Sequence, residues 1–155
     1  MTGLRPARQH TLRLVQLAAL AYAGSVDPRV LAAVAPLDCA PADWKAEAIE
    51  RVLAGFNYVP DNGDHLPSAL EVVAIGGDDC DGLAVLAAAL GLAAGLPVVI
   101  ELYKQPWDPD ATHVAARVGG RLVDPSPAPM LPWELTGPGP LLLQPLQGAC
   151  CEECA

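Results

Sequence analysis

Cys80, His113 and Asp124 are the residues of this 155-residue sequence whose types and order suit covalent acyl transfer. A cysteine thiolate attacks a carbonyl carbon, a histidine takes and returns the proton, and a carboxylate holds the imidazole in its working tautomer. Cys80 follows Gly76-Gly77-Asp78-Asp79 and opens a long Ala/Leu-rich stretch, which predicts a helix from Cys80 to about Ala94 capped by Asp78 or Asp79. A helix start carries partial positive charge and free N–H groups. The charge favours thiolate over thiol, and the N–H groups offer a site for the oxyanion of a tetrahedral intermediate. Asp78, Asp79 and Asp81 oppose that effect, so burial and a partner imidazolium must contribute.

Two strands have to bring the other two residues to that helix start. Thr112 to Val118 and Arg121 to Asp124 read as strands joined at Gly119-Gly120, a strong hairpin signal. His113 starts the first strand and Asp124 ends the second, so a hairpin of equal arms sets them side by side. Of the other histidines, His10 lies in a terminal segment and His65 in a Pro/Gly-rich loop, which leaves His113 as the best base. Each residue also has a plainer reading: Cys80 as a buried structural thiol, His113 as a strand-edge histidine, and Asp124 as a turn residue before Pro125. The catalytic reading rests on the three falling in register.

The rest of the chain supplies the scaffold. Thr11 to Ala23 predicts a helix, and Asp27-Pro28 starts a second one running from Arg29 to Ala35. Asp43 to Phe56 is the clearest amphipathic helix, with Trp44, Ala48, Val52 and Phe56 at four-residue spacing beside Ile49 and Leu53. Lys45, Glu47, Glu50 and Arg51 fall on its other side. Leu37 to Ala42 and Asn57 to Pro67 read as loops, and Ser68 to Ile75 as a short ordered piece of either type. Pro97 to Lys104 reads as a strand and Gln105 to Ala111 as a polar loop. The segment from Pro125 on is Pro-rich and predicts a surface wrap without regular structure. The layout is α+β: N-terminal helices, a central helix carrying the cysteine, and a small antiparallel sheet. Residues 1–125 form the core and residues 126–155 an extension ending in a Cys-rich tail.

The pieces Asp79-Cys80-Asp81-Gly82, Gly95-Leu96-Pro97, His113-Val114 and Val123-Asp124-Pro125, in that order, resemble the transglutaminase-like core. Upstream, Phe56-Asn57-Tyr58-Val59-Pro60-Asp61 is similar to the Tyr-x-x-Asp segment of compact prokaryotic and bacteriophage members. Asp27-Pro28-Arg29-Val30 is similar to their N-terminal part. The resemblance runs from Thr11 to Pro125. It implies a papain-like fold with Cys80, His113 and Asp124 at the catalytic positions; no cofactor and no catalytic metal are expected. Two departures, the extra residue in Gly77-Asp78-Asp79-Cys80 and the small Ala115-Ala116 after His113-Val114, bear on substrate contacts. The chain has no calcium-site run, which argues against calcium-activated protein cross-linking.

Composition narrows the partners. The formal charge is −9, from 9 basic and 18 acidic residues with no Lys/Arg cluster, so neither nucleic acid nor an anionic membrane surface is expected. Apolar residues make up 52% but aromatics only 5%, which predicts a core of small and medium side chains. The apolar run from Leu83 to Ile100 is broken by Gly91, Gly95 and Pro97, so it reads as a buried helix followed by a buried strand, not as a membrane span. Arg5, Arg8 and Arg13 ahead of Leu14 to Ala23 loosely mimic a signal peptide, yet Arg13 and Gln16 favour an ordinary helix.

Three of the five cysteines, Cys150, Cys151 and Cys154, crowd the C-terminus, with Cys39 and Cys80 apart from them. That is not the even spread of a disulfide-stapled domain, and a reducing compartment is the simpler expectation. The three terminal thiols give a third reading, a soft-metal module, though structural zinc usually takes four ligands at wider spacing and a frayed tail ranks ahead.

The expected function is a cysteine-dependent peptidase, amidase or transferase acting on a peptide or protein substrate. The alternative is a bacteriophage virion or assembly protein, at the head–tail connection or in the tail, that keeps the fold and contacts other virion subunits or further copies of itself. The expected location is accordingly cytoplasmic or virion-associated.

Overall fold

The computed structural model describes residues 4–59, 66–105, 108–125, 134–136 and 139–146. Five α-helices lie among them: α1 (Leu4–Ser25), α2 (Pro28–Val34), α3 (Ala42–Ala54), α4 (Ala69–Ile75) and α5 (Cys80–Ala93). The strands are β1 (Asn57–Tyr58), β2 (Gly77–Asp78), β3 (Val98–Gln105), β4 (Asp108–Val118), β5 (Arg121–Val123), β6 (Glu134–Leu135) and β7 (Leu141–Leu143). β1 and β2 form a short parallel pair. The main sheet has the order β5-β4-β3-β6, is antiparallel throughout, and takes β7 on β3 as well. The α+β class and the small antiparallel sheet agree with the sequence.

α5 is the axis of the molecule. It touches α1, α2, α3 and α4, and also β2, β3 and β4. Every residue from Asp81 to Leu92 is buried, so a helix apolar all round is what the site requires. Its small side chains let neighbours approach closely. A Cβ on Gly91 would stand 2.7 Å from Val118 Cγ1 and 2.8 Å from Val98 Cγ2. Gly91→Ala is therefore expected to destabilise by about 1–3 kcal/mol through overpacking. Urea unfolding checks this: a gain of about 1 kcal/mol, the helix-propensity benefit of alanine, would contradict it.

The sheet meets α5 through Val98, Ile100 and Leu102 of β3 and Val114, Ala116 and Val118 of β4, none more than 1% exposed. Alternation along each strand puts Glu101, Tyr103, His113, Ala115 and Arg117 on the opposite face. The β4–β5 hairpin closes at Gly119-Gly120, both with positive φ (56° and 86°), as a two-residue turn of matching twist demands.

Several expectations are corrected. The amphipathic face of α3 is rotated: Lys45, Ala46, Ile49 and Leu53 are buried, whereas Trp44 is 66% and Val52 51% exposed. The reason is the end of α5, where Lys45 Nζ donates to the carbonyl of Ala94 at 3.0 Å and so satisfies a helix C-terminus with a cation. Residues 69–75, left open between types, are helical, with Ser68 as cap accepting from Glu71 N. β4 starts at Asp108, inside what reads as a loop, because β3 supplies pairing as far as Gln105↔Asp108.

The Pro-rich segment is not all irregular wrap. β6 and β7 pair with β3, and the Tyr22 hydroxyl of α1 both donates to and accepts from the Gln144 backbone at 3.1 Å. The free edge of β3 recruits these strands wherever prolines leave donors unblocked. Residues 134–135 and 141–143 thus share the sheet of the core. Asp61 of the Tyr-x-x-Asp segment, His65, and the cysteines 150, 151 and 154 lie outside the described residues.

Among the described residues no single helix is long and apolar enough to cross a membrane. The combined stretch Gln9–Ser25 and Pro28–Leu37 reaches the length only with a 73° bend. Leu14, Leu17, Ala18 and Ala21 of α1 are buried in the core.

Candidate active site

Local chemistry sets the start of α5. Asp79 is the N-cap and its Oδ1 accepts from the backbone N–H of Asp81 at 3.0 Å and of Gly82 at 3.2 Å. Asp78 Oδ1 in turn accepts from Asp79 N at 2.7 Å. The parallel pairing of β1 with β2 anchors the approach, with Asn57 N donating to Gly76 O and Val59 N to Asp78 O, both at 2.9 Å. A Cβ on Gly77 would stand 2.1 Å from Asn57 O, so only glycine allows this approach. Cys80 is thereby held as the first residue of the helix, a free thiol and partly exposed.

His113 and Asp124 meet on the sheet. Val123 pairs with Ala116, so Asp124 lies beyond it on the face of His113, within diagonal reach. His113 Nε2–H donates to Asp124 Oδ2 at 2.6 Å, between side chains 10% and 13% exposed. The same ring is hydrogen-bonded to Cys80. Burial works against charge on the ring, but the hydrogen bonds and charge of Asp124 and Cys80 outweigh it. The His113 pKa stands at about 9, above the usual imidazole value of 6.5.

The structure thus brings all three predicted residues together: nucleophile candidate, imidazole and carboxylate in one hydrogen-bonded chain. Tyr103 joins them from β3, with its ring centroid 6.3 Å from that of His113. Burial and a hydrogen bond to Glu101 raise the Tyr103 pKa, so the phenol stays neutral. Glu101, only 5% exposed, is ion-paired with Arg117 Nε on the same face.

Two details differ from expectation. The first-turn N–H groups do not all remain for an oxyanion, because Asp79 takes those of Asp81 and Gly82. Among the described residues the N–H of Cys80 itself is left as the donor beside the sulfur. The three nearby aspartates do not act alike either. Asp79 serves as the cap, and Asp81 is paired with Arg13, whose Nε and Nη2 reach Asp81 Oδ1 at 3.1 and 2.5 Å.

Sequence reasoning missed Arg13, which had stood out only as a charge at the head of an apolar stretch. It also missed Tyr103, for which the strand alternation with His113 was the available signal. Cys39 is disulfide-bonded, contrary to the expectation of reduced cysteines. Among the described residues no group of three His, Cys, Asp or Glu side chains is placed to hold a metal ion.

Compared with protein-family models, curated proteins and solved structures, the chain matches none.

Proposed function

We propose that this chain is a cysteine-dependent acyl-transfer enzyme of transglutaminase-like, papain-type architecture, acting on amide bonds of a peptide or protein. The observation that carries the reading is the His113 ring, hydrogen-bonded at once to Cys80 and Asp124 and favouring its charged form to about pH 9. The order of Asp79-Cys80-Asp81-Gly82, His113-Val114 and Val123-Asp124-Pro125 supports it.

In this reading the Cys80 thiolate adds to the substrate carbonyl carbon, and the oxygen takes up the displaced electron pair while accepting from Cys80 N–H. His113 gives its proton to the leaving nitrogen, the C–N bond breaks, and a thioester on Cys80 remains. Water or an amine then attacks the thioester, loses a proton to His113 and releases the sulfur as thiolate. Asp124 keeps Nε2 protonated and the ring oriented through both halves.

The assembly reading, a bacteriophage structural protein that keeps this fold, draws on the exposed Trp44 and Val52 of α3 as contact surface for a neighbouring subunit.

Acylation separates the two. With p-nitrophenyl acetate, the native protein is expected to release nitrophenolate in a burst and to carry one acetyl group on the Cys80 peptide, whereas Cys80→Ala gives no burst. Peptide mapping excludes the other cysteines. Acylation of Cys80 no faster than that of N-acetylcysteine at the same pH would remove the enzyme reading in favour of assembly.

A further inference from the structure

We propose that Arg13 is a positioning residue that sets Cys80 against His113 by gripping the neighbour of each; this rests on the acyl-transfer reading above. The guanidinium of Arg13 on α1 donates from Nε and Nη2 to Asp81 Oδ1, at 3.1 and 2.5 Å, and from Nη1 to Thr112 Oγ1 at 2.6 Å. Asp81 directly follows Cys80 and Thr112 directly precedes His113. One rigid planar group therefore ties the first turn of α5 to the start of the β4 segment that carries the base.

Alternation along β4 explains how this happens without touching the reacting groups. Thr112 and His113 are consecutive and point to opposite faces, so Thr112 turns to α1 while His113 turns to Asp124. Arg13 also balances the carboxylate that follows the nucleophile. Its side chain is 27% exposed and that of Asp81 11%, so the pair is largely shielded from water. A long apolar side chain would fill this position of α1 beside Leu14 and Leu17 without desolvating a charge. The other titratable group facing Arg13 is His10, one turn back on α1, whose pKa burial and Arg13 lower.

The experiment is the pH dependence of iodoacetamide alkylation at Cys80 in the full chain, with thermal unfolding in parallel, for wild type, His113→Ala, Arg13→Met and Thr112→Val. Wild type is expected to show a fast arm below pH 7 that His113→Ala loses. Arg13→Met should slow that arm about tenfold and Thr112→Val about threefold, as small displacements between reacting groups do. Thr112→Val keeps shape and removes a single hydrogen bond, so it decides the matter if Arg13→Met does not fold. A wild-type arm that survives both substitutions, whatever happens to the melting temperature, would overturn the role of Arg13 and leave the acyl-transfer reading standing. Absence of the arm from wild type would overturn both.

Discussion

At pH 6, His113→Ala is expected to slow alkylation of Cys80 by iodoacetamide about a hundredfold. The thiolate is the reacting species, and an ordinary cysteine thiol has on the order of 0.3% of it at that pH. In the native protein the imidazole beside the sulfur keeps its proton to about pH 9. A cation beside the sulfur favours attack by sulfur in its thiolate form. The native rate is therefore expected to exceed the His113→Ala rate most at low pH, where the His113→Ala rate falls about tenfold per pH unit, as that of a free thiol does. Asp124→Asn should fall between them, because it removes the charge that stabilises the imidazolium while leaving the ring. Peptide mass mapping gives the rate at Cys80 alone. Native and His113→Ala profiles that coincide would remove the ion pair, and with it the nucleophile.

The second large effect is on stability. His113 is 7% exposed and its pKa is raised from 6.5 to about 9 on folding. A raised pKa means the native state binds the proton more tightly than the unfolded chain. The stabilisation is thus present in full below about pH 6.5 and is lost as pH rises through about 9. The shift corresponds to roughly 3 kcal/mol. Urea unfolding of wild type and His113→Gln, under conditions that keep the Cys39 disulfide, is expected to give a stability difference that is largest at pH 6 and shrinks by roughly 2–3 kcal/mol by pH 9.5. Groups away from His113 and its partners Cys80 and Asp124 cancel in that difference. A difference that stays constant across the range would mean the ring gains no proton affinity from its partners.

The candidate site was legible to a large extent because its parts are marked by local chemistry. Asp79 followed by a small-residue run announces a helix start, and Cys80 falls on its first residue. Gly119-Gly120 announces a tight hairpin, whose equal arms carry His113 and Asp124 to one place. In each case a short-range rule, capping or turn twist, leaves few alternatives. Less legible was what the helix start does with its donors. The count of free N–H groups depends on where the Asp79 carboxylate turns, and three consecutive-looking acids around Cys80 have separate partners.

The sequence by itself determined the elements whose signals are local: the cap of α2 at Asp27, the span of α5, the stop at Gly95 ahead of β3, and the β4–β5 turn. Only the tertiary structure decided which face of α3 is buried, because Lys45 is drawn inward by the carbonyl of Ala94 and Trp44 is left outside. Only it decided that β6 and β7 close the edge of β3, since a two- or three-residue strand has no periodicity to read and exists through its partner. Arg13 belongs to the same class. Nothing near it in the chain accounts for it, and its partners, Asp81 and Thr112, lie 68 and 99 residues away. Local free energies write themselves into neighbouring residues, whereas long-range contacts are selected by packing around α5 and appear only when the chain is folded.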